Sequence, residues 1–99
     1  MFNRKINLNL VPKPEQSLGD VIGVGSDCGN SYLIKFEKNT IGVPPNTSEN
    51  IFYEINLPSQ FKVNGLRINV TFRQPINNEI MNCTAQDFAY SQIFIESVN

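Results

Sequence analysis

Cys28 and Cys83 are the only cysteines in this 99-residue chain, so a single intramolecular pairing is open to them. Three chemistries compete for the pair: a disulfide, two unrelated free thiols, or a metal or redox site. No Cys-x-x-Cys spacing supports the last. A bridge would close a loop of about 55 residues, for which chain entropy gives roughly 4 kcal/mol as an upper figure. That is comparable to the whole stability of a marginal domain. Cys28 lies among turn formers and Cys83 in a long polar stretch, and two such loops can meet at one end of a small barrel. Their Cα atoms are then expected within about 7 Å.

Other reactive groups are sparse. Histidine is absent, which removes the commonest general base and the commonest metal ligand together. Ser31 or Cys28 as a nucleophile would have only Lys35 or Lys38 for activation. Asp20, Asp27, Glu49, Glu54, Asp87 and Glu96 fall neither at calcium-loop spacing nor in an evident acid–base pair. In Gly23-Val24-Gly25-Ser26-Asp27-Cys28-Gly29 the third glycine is one position late for a dinucleotide fingerprint, and a strand follows where a helix terminus would be needed. No catalytic residue, cofactor or metal is therefore expected.

Aromatic side chains could instead bind by stacking. Tyr32, Phe36, Phe52, Tyr53 and Phe72 would suit bases or sugars, but alternation along their strands turns most of them inward. Phe52 and Tyr90 are the candidates for exposed aromatics. Eight basic and nine acidic residues give a net charge of −1, which supplies no general attraction for polyanions. A nucleic-acid partner is disfavoured by that balance.

The elements that must position these residues are strands. Leu66 to Arg73 alternates strictly, with Leu66, Ile68, Val70 and Phe72 on a core face and Arg67, Asn69, Thr71 and Arg73 toward water. Leu18 to Val24 reads as a strand bent or bulged at Gly23 and Gly25. It forms a hairpin with Tyr32 to Glu37 through the turn formers 26–31. Ile51 to Leu57 predicts a third strand with Ile51, Tyr53, Ile55 and Leu57 inward. Pro58 to Lys62 predicts one helical turn, with Phe61 plugging an end of the core. An Asn64-Gly65 turn precedes the strongest strand, and Gln92 to Val98 closes the series.

Before them, Pro12 and Pro14 break pairing, so residues 1–17 read as an N-terminal arm or edge strand and residues 18–99 as the folded domain. At this length there is one core and no second. The order of elements predicts an all-β domain: a small five- to six-stranded OB-like barrel with a short helical turn between strands three and four. Closure would remove the exposed edges on which flat sheets aggregate. A small open roll or sandwich is the alternative.

Gly25 to Ile34, followed by Ile55 to Phe72, resembles small bacterial envelope lipoproteins with an OB-like barrel, and is similar to the N-terminal domain of NigD-like proteins. The similarity covers about residues 18 to 98. Its most specific part is the Leu57-Pro58, Phe61-Lys62 and Gly65-Leu66 series that leads into the alternating strand. The resemblance implies a secreted or lipid-anchored bacterial module and carries over no catalytic residue.

The expected function is a non-enzymatic binding or interaction module of the bacterial cell envelope. Its partner would be a protein, peptide or glycan, met by the loops 38–50 and 74–90. Met1 to Leu10 has no uninterrupted apolar run of roughly 7 to 15 residues, so it does not read as a signal peptide. A periplasmic or outer-membrane location thus presupposes a removed leader, with the membrane reached only through a lipid anchor; otherwise the chain is expected in the cytoplasm. The competing reading is a single-strand nucleic-acid-binding OB domain, which requires Arg67, Arg73, Lys35 and Lys62 to line one groove beside exposed aromatics.

Overall fold

A computed structural model describes residues 16–37, 40, 50–83 and 90–99. Five strands form: β1 (Ser17–Val24), β2 (Tyr32–Phe36), β3 (Ile51–Ile55), β4 (Arg67–Arg73) and β5 (Gln92–Val98). They close into a barrel in the order β1-β2-β3-β5-β4, with β3 and β5 parallel and every other pair antiparallel. The expected small all-β barrel is thus the observed one. Single 3₁₀ turns at Ser59–Phe61 and Asn77–Glu79 are the helical elements among the described residues, and the first lies between β3 and β4 as the sequence predicts.

β1 can serve two partners because it bends. Its first half pairs with β4, from Ser17 opposite Val70 to Asp20 opposite Arg67, and its second half continues along β2. The register with β2 slips between Val21 and Gly23, where Ile22 is the extra residue of a bulge and Gly23 takes φ 129°, a value closed to most side chains. Gly25, the other expected bend, makes room for a ring instead, since a Cβ there would lie 2.2 Å from Tyr53 Cε1. In the turn before β4 only Gly65 takes a positive φ, 85°, while Asn64 does not.

The core is built from Val21, Ile34, Phe36, Phe52, Ile68, Val70, Ile93 and Ile95, with Leu57 closing it and Phe61, Leu66 and Phe72 packed against it. Ile68 and Val70 of the alternating strand are fully buried, as predicted.

β3 inverts the predicted faces. Phe52, expected as an exposed aromatic, is fully buried in the core, with its ring centroid 6.0 Å from that of Phe36. Tyr53, expected inward, lies on the outer side, where its hydroxyl accepts the Asp27 N–H at 3.0 Å and Tyr90 covers it edge-on at 6.1 Å. A one-residue shift of face exchanges every side chain of a strand, so Glu54 also points inward. β3 carries large apolar groups on both sides, and the backbone of Gly25 lets the outer one lie flat and buried.

The predicted N-terminal arm, apart from Gln16 and Ser17, lies outside the described residues, as does most of the loop 38–50.

Candidate functional site

The site arises where β3 leaves the barrel. Tyr53 N–H donates to Ser91 O at 2.9 Å, and the parallel register runs on to Ile55 opposite Phe94. Alternation along a parallel ladder would next direct Leu57 N–H to Ile95 O. Neither group makes that bond. Leu57 N–H donates to Glu54 Oε1 at 2.9 Å, and Ile95 O accepts the side-chain amide of Asn56 at 3.2 Å. Asn56 reaches it from φ 77°, a left-handed conformation that asparagine tolerates better than most residues. The chain turns out of the sheet with its polar groups satisfied.

Glu54, at the inner end of β3, is 3% exposed. Its Oε2 accepts Tyr32 N–H at 3.1 Å, and Lys62 Nζ stands 3.8 Å away. Ser31 Oγ donates to Glu54 O at 2.7 Å. The carboxylate thus knots β2, β3 and the segment leading to the first 3₁₀ turn.

Two open hollows flank Asn56. The first, about 260 Å³, is bounded by Ser31, Glu54, Lys62, Met81 and the Cys28 end of the disulfide. The second, about 390 Å³, lies between the last residues of β5 (Ile95, Glu96, Val98) and Pro58 and Phe61 of the 3₁₀ turn. Asn56 lines both, so the two hollows adjoin at this residue and are together called the trough.

Cys28 and Cys83 are bridged, with Cα atoms 4.4 Å apart, so of the three readings open to the pair the disulfide is the one formed. It ties the β1–β2 turn to the strap 81–83. Gln92 holds the same strap by accepting Met81 N–H at 2.8 Å and donating to Met81 O at 3.1 Å. The strap places Met81 at the rim of the first hollow, and among the described residues of the predicted loop surface 74–90 it is the part that meets the trough.

The remaining candidates are dispersed. Tyr90 is half-buried against Tyr53. Arg67 pairs with Asp20 at 3.2 Å and with Glu37, contacts that raise its pKa, the Glu37 hydrogen bond foremost. Arg73 grips Glu79 through both terminal nitrogens, reaches Glu96 at 3.2 Å, and stacks 4.2 Å above the Phe94 ring. The Arg73 hydrogen bonds, with the Ile76 N–H, hold the Glu79 carboxyl down at about 2. Arg67 and Arg73 stand at opposite ends of β4, roughly 20 Å apart at strand rise, while Lys62 lies at Glu54. These cations do not line one groove, and three of the four predicted ones face carboxylates. Among the described residues no three metal-binding side chains cluster.

Glu54 and Asn56 escaped the sequence reading as site residues. The available hint was an asparagine one residue before Leu57-Pro58, where a strand must end. Comparison with protein-family models, with curated proteins and with solved structures returns no match.

Proposed function

We propose that this barrel is a non-enzymatic binding module of the bacterial cell envelope, OB-like in its strand order, and that its ligand lies along the trough around Asn56. The observation that carries the reading is the junction of two open hollows on one residue at the point where β3 quits the sheet. Polar atoms of Asn56, Lys62 and Glu96 stand there beside the apolar surfaces of Met81, Pro58 and Phe61, a mixture suited to a peptide, a protein segment or a glycan. The Cys28–Cys83 bridge supports the compartment, since disulfides persist in secreted and periplasmic proteins and are rare in a reducing cytosol. The resemblance to NigD-like proteins points the same way and would put the module at the membrane through a lipid anchor. Pairing of Arg67, Arg73 and Lys62 with carboxylates weighs against the nucleic-acid reading.

The test is a random-peptide display and a glycan array probed with the oxidised protein, each ligand then mapped by amide shift changes. Shifts centred on Asn56, Lys62 and Phe61 are expected. Ligands that map to the outer face of β1, or none from either array, would overturn the reading. Intact mass after thiol alkylation, on protein taken from its native compartment, checks the location: two alkyl groups should appear only after reduction.

A further inference from the structure

We infer that the second hollow takes an extended, neutral to basic polypeptide, which pairs through its main chain with Val98 at the end of β5. The inference rests on the binding-module reading and names the ligand class for one arm of its trough.

Alternation along the β4–β5 ladder decides where Val98 points. Asn69 and Asn99 exchange both backbone hydrogen bonds, Asn69 N–H to Asn99 O at 3.2 Å and Asn99 N–H to Asn69 O at 2.9 Å. In an antiparallel pair the neighbouring partners are then of the other kind, and make no bonds to each other. Val70 and Val98 are those neighbours. The Val98 N–H and C=O therefore point away from β4, toward the side on which β3 ran before Asn56 diverted it. Among the described residues the β3 ladder ends at Ile55 opposite Phe94, and Asn56 caps Ile95 O. Beyond that cap no described strand lies on this side of β5.

Val98 thus offers one donor and one acceptor from a single residue into the hollow, the pattern that a peptide backbone answers residue for residue. Glu96 is the extra residue where the β4–β5 register slips from Thr71–Ser97 to Phe72–Ile95. This bulge keeps the open edge to about three residues, roughly 10 Å of strand. Pro58, Phe61 and Ile95 supply apolar walls for alternate side chains. Glu96 is the sole charged side chain in the lining. Its Oε2 already meets Arg73 at 3.2 Å, but the carboxylate stays half-exposed and can accept from a further donor, so a neutral or cationic side chain suits the hollow better than an anionic one.

The experiment uses the full-length oxidised protein and a short acetylated peptide that alternates valine with lysine and threonine. Two further forms carry N-methyl groups on one or the other set of alternate amides. The peptide is expected to slow hydrogen exchange at the Val98 amide about tenfold at saturation, and one N-methylated form to bind about tenfold more weakly than the other. Glu96→Gln should weaken binding about threefold and flatten its salt dependence. Equal binding by both methylated forms, or an unchanged Val98 amide, would overturn the inference. So would Val98 protection before any peptide is added, which would mean that the chain covers its own edge, or protection that rises with protein concentration, which would mean that a second copy does. Should the peptide fail while an array ligand maps to the first hollow, this inference falls and the binding-module reading stands. No ligand on either side of Asn56 would remove both.

Discussion

Replacing Cys28 and Cys83 together by alanine should cost this barrel a large share of the stability available to a domain of its size. The bridge spans 55 positions. The chain-entropy expression for a loop of that length gives a loss of about 14 cal/mol/K in the unfolded chain, or about 4 kcal/mol at 25 °C. Against a total of roughly 5 to 15 kcal/mol, such a change lowers the thermal midpoint by roughly 15 to 30 °C. Packing adds to it, since Cys28 is 4% exposed and lines the first hollow with Ser31 and Glu54.

Urea titration of the oxidised protein, the two single variants and the double variant separates these contributions. Either single replacement already breaks the bridge, so each should lose nearly the full amount and the double only slightly more. The urea slope should also rise in all three, because the released unfolded chain exposes more surface. Single-variant losses that add up to the loss of the double, or a double variant within about 1 kcal/mol of the parent, would refute the assignment of the stability to the cross-link.

Glu54→Ala leaves the partly buried Tyr32 N–H and the buried Leu57 N–H without their acceptor and should cost about 2 to 6 kcal/mol in urea; a change below about 1 kcal/mol would mean that other partners reach them. Gly25→Ala drives a methyl group into the Tyr53 ring and should cost about 3 kcal/mol; if the midpoint is unchanged, the ring is free to move aside. Glu79 titrates near 2 in the folded protein against an ordinary value of 4.5, so its contribution is complete above about 4.5 and lost as the pH falls through 2. The stability difference between parent and Glu79→Gln should therefore shrink between pH 5 and pH 2, and a difference that stays constant over that window would break the link to Arg73.

The legible parts of the fold were those whose pattern admits one solution. Along β4, polar residues separate every apolar one, and only one face can be buried; Ile68 and Val70 are fully enclosed as that rule demands. The first 3₁₀ turn was equally plain, because Pro58 takes an extended conformation and starts the turn without needing a donor. β3 admits two solutions. Ile51, Phe52 and Tyr53 are apolar in succession, so the choice of face fell to Glu54, which reads as solvent-facing. Contacts distant in sequence reverse that choice. Gly25 leaves a flat surface on which Tyr53 lies outside the barrel, and Tyr32 N–H, Leu57 N–H and Lys62 meet the Glu54 carboxylate inside it.

The site follows from the same reversal, and this is why local pattern could not show it. Had Glu54 faced water, Leu57 N–H would have no carboxylate at hand and would go to Ile95 O as the next rung between β3 and β5. With Glu54 turned inward, Leu57 N–H is taken up there, and Ile95 O is left for the side chain of Asn56. The β3–β5 ladder then ends at Ile55 opposite Phe94, and the second hollow opens beyond it, lined by Val98 and Phe61. The decisive exchange joins Glu54 to Leu57, three residues apart, yet it has meaning only against a parallel partner, β5, whose first residue lies 36 positions after Asn56. Glu54→Gln tests that dependence. The amide oxygen still accepts one N–H, but the amide nitrogen must face the other, so either Tyr32 or Leu57 is displaced. If Leu57 is displaced, its N–H is free to compete with Asn56 for Ile95 O, and the second hollow narrows. The Asn56 side-chain amide protons should then lose their hydrogen-bonded shift, and peptide affinity at Val98 should fall even though residue 54 borders only the first hollow.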